Sequence, residues 1–225
     1  METFNLPRIS HETIYQHILQ DKYEGGYLYK HLRQSNKKRK KRYGSNSKRG
    51  QIKNRISIAE RPSVVDAKAR IGDWEIDTVI GKHQQGVLIT LVERISKFTL
   101  IKQVANKTAE AVTARVISIL KNIKHKVLTI TADNSKEFAY HKQISMALKL
   151  DFYFAHPYHS WERGLNENTN GLIRQYFPKK TSFDSINDND VETAMERLNS
   201  RPRKTLGFKT PNNIFLDNQS VALNT

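Results

Sequence analysis

Asp77, Asp133 and Glu167 occupy three different kinds of position along the chain. Asp77 falls in the run Asp73-Trp74-Glu75-Ile76-Asp77, where period-two alternation sets Asp73, Glu75 and Asp77 on one face of a strand. A solvent-facing strand would explain those acids. That explanation weakens if helices cover both faces, because an unpaired buried carboxylate is costly. Asp133 follows the β-branched run Val127 to Ile130, at the strand end where α/β sheets place their sites. Asp133-Asn134 also suits an ordinary turn. Glu167 lies near the start of a helical stretch, a place the helix dipole alone would favour for an acid. Clustered oxygen donors without Cys or His suit hard cations such as Mg²⁺ or Mn²⁺. Two such ions about 4 Å apart activate an attacking oxygen and stabilise the leaving oxygen of a phosphodiester. Arg174 shares the helical face of Glu167 and is placed to hold a phosphate.

Elements able to position these acids can be read from the pattern. Trp74 to Ile80, Gly86 to Val92 and Phe98 to Val104 read as three strands joined by short turns. Thr108 to Ile123 carries apolar residues at helical spacing. Val127 to Ile130 is a fourth strand, followed by a helix through Ile144, Ala147 and Leu148. Phe152 to Phe154 is a fifth strand, and Leu165 to Phe177 and Val191 to Leu198 are helices. The expected fold is α/β: a mixed five-stranded sheet flanked by helices. Ahead of it, Ser10 reads as a helix N-cap and Tyr27 to Leu32 as a short second helix.

Composition narrows the partners. The 225 residues carry a formal net charge of +16, from 38 Lys+Arg against 22 Asp+Glu. Such an excess favours polyanions, nucleic acid before an anionic membrane. The charge is lopsided: 15 basic residues and 5 acidic ones precede Ser63. Lys37, Lys38, Arg39, Lys40, Lys41 and Arg42 form an unbroken run, with Lys48 and Arg49 close behind. The segment reads both as a solvated linker and as an arm that lies along a phosphate backbone. No cysteine is present, which excludes disulfides, thiolate zinc sites and cysteine nucleophiles. No apolar run approaches the roughly 18 residues of a membrane span. These features describe a soluble cytoplasmic protein with no membrane partner.

Longer motifs carry a resemblance. They are Gly72-Asp73-Trp74-Glu75-Ile76-Asp77, Trp161-Glu162-Arg163-Gly164, Asn166-Glu167-Asn168-Thr169-Asn170-Gly171-Leu172-Ile173-Arg174-Gln175-Tyr176 and Arg201-Pro202-Arg203-Lys204-Thr205-Leu206-Gly207. From about Ile9 to about Asp217 the chain resembles the insertion-sequence-thirty family of bacterial transposases, whose catalytic core is ribonuclease-H-like. The resemblance implies that Asp77, Asp133 and Glu167 hold two Mg²⁺ (or Mn²⁺) ions and that Arg174 accompanies the glutamate. It demotes the rival acids Glu75 and Glu162. It implies cleavage at transposon ends, strand transfer into target DNA, and a homo-oligomer on DNA. It divides the chain into a remnant helical DNA-binding segment (1–33), a basic linker (34–62), the catalytic core (63–217) and a tail (218–225). Most of the family's N-terminal helix-turn-helix region would then be missing.

Two residues depart from the family pattern. Leu165 replaces a polar residue, and Ser135 stands where Gly is usual after Asp-Asn. A left-handed turn there would cost Ser about 1 kcal/mol. The alternative reading is therefore a catalytically impaired remnant that binds DNA without sequence preference or regulates intact transposase. A basic RNA-binding protein is a third reading, which leaves the three acids unexplained. His156-Pro157-Tyr158-His159 reads as a DNA-contacting loop rather than a metal pair, because proline breaks helical spacing. Trp74 and Trp161 read as packing residues, with base stacking as a second role for Trp161. Lys136-Glu137 reads as a solvated pair.

Overall fold

The computed structural model describes residues 9–32, 52–84, 86–157 and 159–217. The chain divides into two units on either side of Ser47. In the first, α1 (His11–Tyr23) starts at Ser10, whose hydroxyl accepts from the Thr13 N–H at 3.1 Å. A 3₁₀ turn, Leu28–His31, follows.

The second unit is built on a sheet of β1 (Ile56–Ser57), β2 (Asp73–Ile80), β3 (Val87–Glu93), β4 (Thr99–Val104), β5 (Thr129–Ala132) and β6 (Asp151–Phe154). Their order is β1-β6-β5-β2-β3-β4. The meander β2-β3-β4 is antiparallel, whereas β1, β6, β5 and β2 run parallel. Helices α2 (Ser63–Asp66), α3 (Ala109–Lys121), α4 (His141–Leu148), α5 (Gly164–Tyr176), α6 (Asp188–Asn199) and α7 (Pro211–Asp217) complete the unit. The expected mixed α/β fold is found, with one correction. The sheet has six strands, not five. The extra strand is a two-residue edge pair inside the segment read as linker, too short to show a period. It is held there by the flanking side chains of Ile52 and Ile58, both buried.

Alternation along the central strands sorts the side chains into two layers. Trp74, Ile76, Val87, Ile89, Leu91, Ile130 and Ala132 face α3, α4 and α7, where Val112, Val116, Leu120, Ile144 and Phe215 close one apolar core. Val79, Leu88 and Ile101 face the other way, against Leu172 and Ile173 of α5 and Val191, Ala194 and Leu198 of α6. Each fully buried aliphatic or aromatic side chain contributes roughly 1.5–3 kcal/mol. Trp74 is a packing residue, as expected: its ring meets Phe98 and Phe215 edge-on, and its indole N–H donates to the Lys126 carbonyl at 2.9 Å. Gly72 opens the motif in the left-handed region, φ +117, where a Cβ would sit 2.9 Å from Leu128 Cγ. Its carbonyl accepts from the Leu128 N–H at 2.7 Å and so starts the β2–β5 pairing.

Candidate active site

The acids Asp73, Glu75 and Asp77 do share one face of β2, and α5 covers it. A buried acid must find partners. Asp73 accepts from Thr129 Oγ1 at 2.8 Å and pairs with Arg70. Glu75 accepts from the Asn166 N–H at 3.2 Å and lies 3.6 Å from the Arg94 guanidinium. Burial raises its pKa, against the lowering pull of Arg94, Asn166, Arg163 and Arg61. Glu75 is thus taken up in a polar core.

Sheet register brings Asp77 to Asp133. Parallel β2 and β5 pair Asp73 with Thr129, Trp74 with Ile130 and Glu75 with Thr131. Continued two residues past the ladder, that register sets Asp77 beside Asp133, just beyond the end of β5. Adjacent strands lie about 4.8 Å apart. Main-chain donors orient both carboxylates: the Thr78 N–H donates to Asp77 Oδ1 at 2.9 Å, and the Ser135 N–H donates to Asp133 Oδ1 at 2.9 Å. The pair is electrostatically coupled. Burial raises the Asp77 pKa, Arg163 opposes the rise, and the Asp133 charge adds to it.

Two further side chains close around the aspartates. Arg163 reaches both, 3.7 Å from Asp77 Oδ1 and 3.4 Å from Asp133 Oδ2. Asn170 donates to Asp77 Oδ2 at 2.8 Å. Glu167 is exposed, one helical turn beyond Arg163 and one before Asn170, so it shares their side of the helix. Its carboxylate does not form a group with both aspartates within 4.8 Å; among the described residues, the three His or acidic side chains whose ligand atoms all lie within 4.8 Å of one another are His156, His159 and Glu162. The donors at Asp77 and Asp133 are carboxylate oxygens, and a guanidinium already lies between them as a stand-in cation. Both observations fit a hard divalent ion.

Other sequence-selected residues fall as follows. Arg174 is half-buried, and its guanidinium donates to the Ile80 carbonyl at 2.7 Å and the Phe177 carbonyl at 3.4 Å. Lys37 to Arg42, Lys48 and Arg49 lie outside the described residues. Ser135 is extended, φ −77, so the expected left-handed strain is absent. Glu137 is not solvated: it is buried, accepts from Thr78 Oγ1 at 2.9 Å and pairs with Lys107 at 2.8 Å. Trp161 is not packed but 70% exposed, with its ring stacked on His159 at 4.3 Å.

Relatives settle the family. Over 217 residues, 95% of its length, the chain is 46% identical to the transposase for insertion sequence element IS4351 of Bacteroides fragilis, covering 67% of that protein. It is 37% identical over 217 residues, 92% of its length, to the transposase InsI for element IS30A of Escherichia coli, covering 56% of that relative. The chain belongs to the insertion-sequence-thirty family of transposases. It is also 40% identical over 161 residues to the probable transposase for insertion-like sequence element IS1161 of Streptococcus salivarius, covering 46% of it. The transposase chain therefore spans about half to two thirds of the length of these curated relatives. No protein-family profile matches it.

Solved structures agree on the fold. The catalytic core domain of BIV integrase aligns with 69% of the transposase chain at a TM-score of 0.53 and 19% identity. A chain of the simian T-cell lymphotropic virus intasome, solved in complex with PP2A regulatory subunit B56 gamma, aligns with 63% at a TM-score of 0.52 and 21% identity. The fold is that of integrase catalytic cores, ribonuclease-H-like.

Proposed function

We propose that this chain is the catalytic part of an insertion-sequence transposase, with Asp77, Asp133 and Glu167 as ligands of two Mg²⁺ or Mn²⁺ ions. The observation that carries the reading is the β2–β5 register, which sets Asp77 and Asp133 side by side below the helix that bears Glu167. When bound, two such ions activate an attacking oxygen and stabilise the leaving oxygen of a phosphodiester. The chain's own residues hold the site in readiness. The Thr78 N–H and Asn170 amide fix the Asp77 carboxylate, and the Ser135 N–H fixes that of Asp133. Arg163 offsets their mutual repulsion, and beside a bound divalent ion its guanidinium would hold a scissile phosphate. Glu167, exposed on the same side of α5, would complete the ligand set.

In this reading water attacks first to release a 3′ hydroxyl at a transposon end, and that hydroxyl then attacks target DNA. The partners are transposon ends, target DNA and further copies of the chain, in the bacterial cytoplasm. Among the described residues no helix is long and apolar enough to cross a membrane. The test is nicking of supercoiled plasmid by purified protein with Mg²⁺ or Mn²⁺, beside Asp77→Asn and Glu167→Gln. Nicking by the wild type alone supports the reading. DNA binding without nicking under either ion would favour the non-catalytic alternative.

A further inference from the structure

The stretch from His156 to Glu162 places three ligand-type side chains on one face. Its main chain forms successive i→i+3 turns: the His159 N–H donates to the His156 carbonyl at 3.2 Å, and the Glu162 N–H donates to the His159 carbonyl at 3.1 Å. His159, at φ −93 and ψ 65, departs from helical geometry and turns the chain into the 3₁₀ helix Ser160–Arg163, which brings Glu162 to both imidazoles.

The ligand atoms converge. His156 Nδ1 lies 2.8 Å and His159 Nδ1 3.2 Å from Glu162 Oε1, and the donor atoms of all three residues lie within 4.8 Å of one another. Neighbouring ligands of a tetrahedral zinc ion with bonds of about 2.0–2.1 Å are roughly 3.3 Å apart. The 3.2 Å His159–Glu162 spacing is close to that edge length, and the 2.8 Å His156–Glu162 contact is a hydrogen bond that an ion would widen. The set is also oriented from outside. The His156 N–H of the main chain donates to Glu162 Oε2 at 2.8 Å, which turns the other carboxylate oxygen toward the imidazoles. His156 Nε2 faces Ser57 Oγ at 3.5 Å, and the His159 ring is stacked on Trp161. Such outer contacts fix ring orientation in metal sites. Both imidazoles are about half exposed, which leaves an ion a way in and room for water as a fourth ligand.

The geometry points to a second metal site at His156, His159 and Glu162, selective for a zinc-class transition ion and separate from the proposed hard-ion site. Two imidazoles and one carboxylate favour Zn²⁺, Co²⁺ or Ni²⁺, whereas Mg²⁺ prefers oxygen alone. The residue after Glu162 is Arg163, the side chain that spans Asp77 and Asp133. An ion here pins the turn from which that guanidinium projects.

The experiment is titration of the metal-stripped full chain with Zn²⁺ by calorimetry and with Co²⁺ by visible absorption, in excess Mg²⁺. The expected result is one tight site per chain with a tetrahedral Co²⁺ spectrum. His156→Ala and His159→Asn should each weaken it more than about 100-fold, since losing even an outer contact costs about 10–100-fold. Asn at 159 can still donate a hydrogen bond to Glu162 but is a poor zinc ligand, so it separates a metal site from a hydrogen-bonded cluster. Asp77→Asn should bind Zn²⁺ like the wild type. No stoichiometric site, unchanged affinity in His159→Asn, or a loss confined to Asp77→Asn would each overturn the proposal. None of these readouts depends on nicking, so the transposase reading stands or falls separately.

Discussion

Asn170 donates a 2.8 Å hydrogen bond from its side-chain amide to Oδ2 of Asp77, tying α5 to the middle of the sheet. The carbonyl end of the same amide lies 3.2 Å from Thr90 Oγ1 on β3, so one side chain clamps the helix to two strands. Asn170 is therefore a positioning residue for the Asp77 carboxylate. Asn170→Ala should cost about 1 kcal/mol per lost hydrogen bond and raise the half-saturating Mg²⁺ concentration for nicking by about 10–100-fold. A structural role alone would lower the melting midpoint and leave the Mg²⁺ dependence where it was.

Asp77 itself should show a stability–function conflict. Its folded pKa is raised, by burial first and then by the Asp133 charge. The folded state thus holds a proton that the unfolded state has released, so this group's contribution falls as pH rises from the ordinary carboxylate value to the raised one. Asp77→Asn removes the charge. Without divalent ions it should melt higher than the wild type at pH 7, with the advantage shrinking as pH falls through the carboxylate range. A constant difference across pH would mean that Asp77 does not carry this strain.

Arg174 offers a sharper choice between roles. Its guanidinium already serves the Ile80 and Phe177 carbonyls, and it lies 5.5 Å from the centre of the Phe183 ring. Arg174→Ala leaves those carbonyls short of a donor and should destabilise by about 1–3 kcal/mol. Chemical denaturation measures this, with DNA affinity taken well below the melting midpoint. An unchanged midpoint with weakened DNA binding would assign Arg174 to phosphate instead.

The sequence reading succeeded where a repeating signal exists. Apolar and β-branched runs located β2 to β6 within a few residues, and helical spacing located α3 to α6, because burying one face of a helix imposes its period. The β-branched run placed Asp133 at a strand end, and it does lie just beyond β5 (Thr129–Ala132). Features lacking a period were missed. Ile56–Ser57 is too short to alternate, although apolar Ile52 and Ile58 in a basic stretch were a signal. Arg163 lay inside a quoted motif, but its reach to Asp77 and Asp133 depends on the strand register. Glu137 looked solvated because its partners, Thr78 and Lys107, are distant in sequence. His156 and His159 were read as a DNA-contacting loop because proline breaks helical spacing, and the approach of Glu162 to both follows from the turn at His159, which has no period to read.

The basic run supplies the last prediction. Lys37 to Arg42, Lys48 and Arg49 fall outside the described residues, and their charge alone bears on what they bind. Phosphate contacts give affinity without sequence information, whereas base reading needs side chains placed in a groove. If this run neutralises six or so phosphates, moving from 50 to 200 mM salt should cut duplex affinity by about 10³ or more. Replacing Lys37, Lys38, Arg39, Lys40, Lys41 and Arg42 by Gln should flatten that slope and weaken binding equally on transposon-end and scrambled duplexes. The substitutions lie well before Ile52 and Ile58, the buried residues beside the edge strand, so the melting midpoint of the sheet unit should hold. Titrations on both duplexes at several salt concentrations decide it. Were the Gln variant to lose affinity only for the transposon end, the run would be reading sequence, and backbone contact would not explain it.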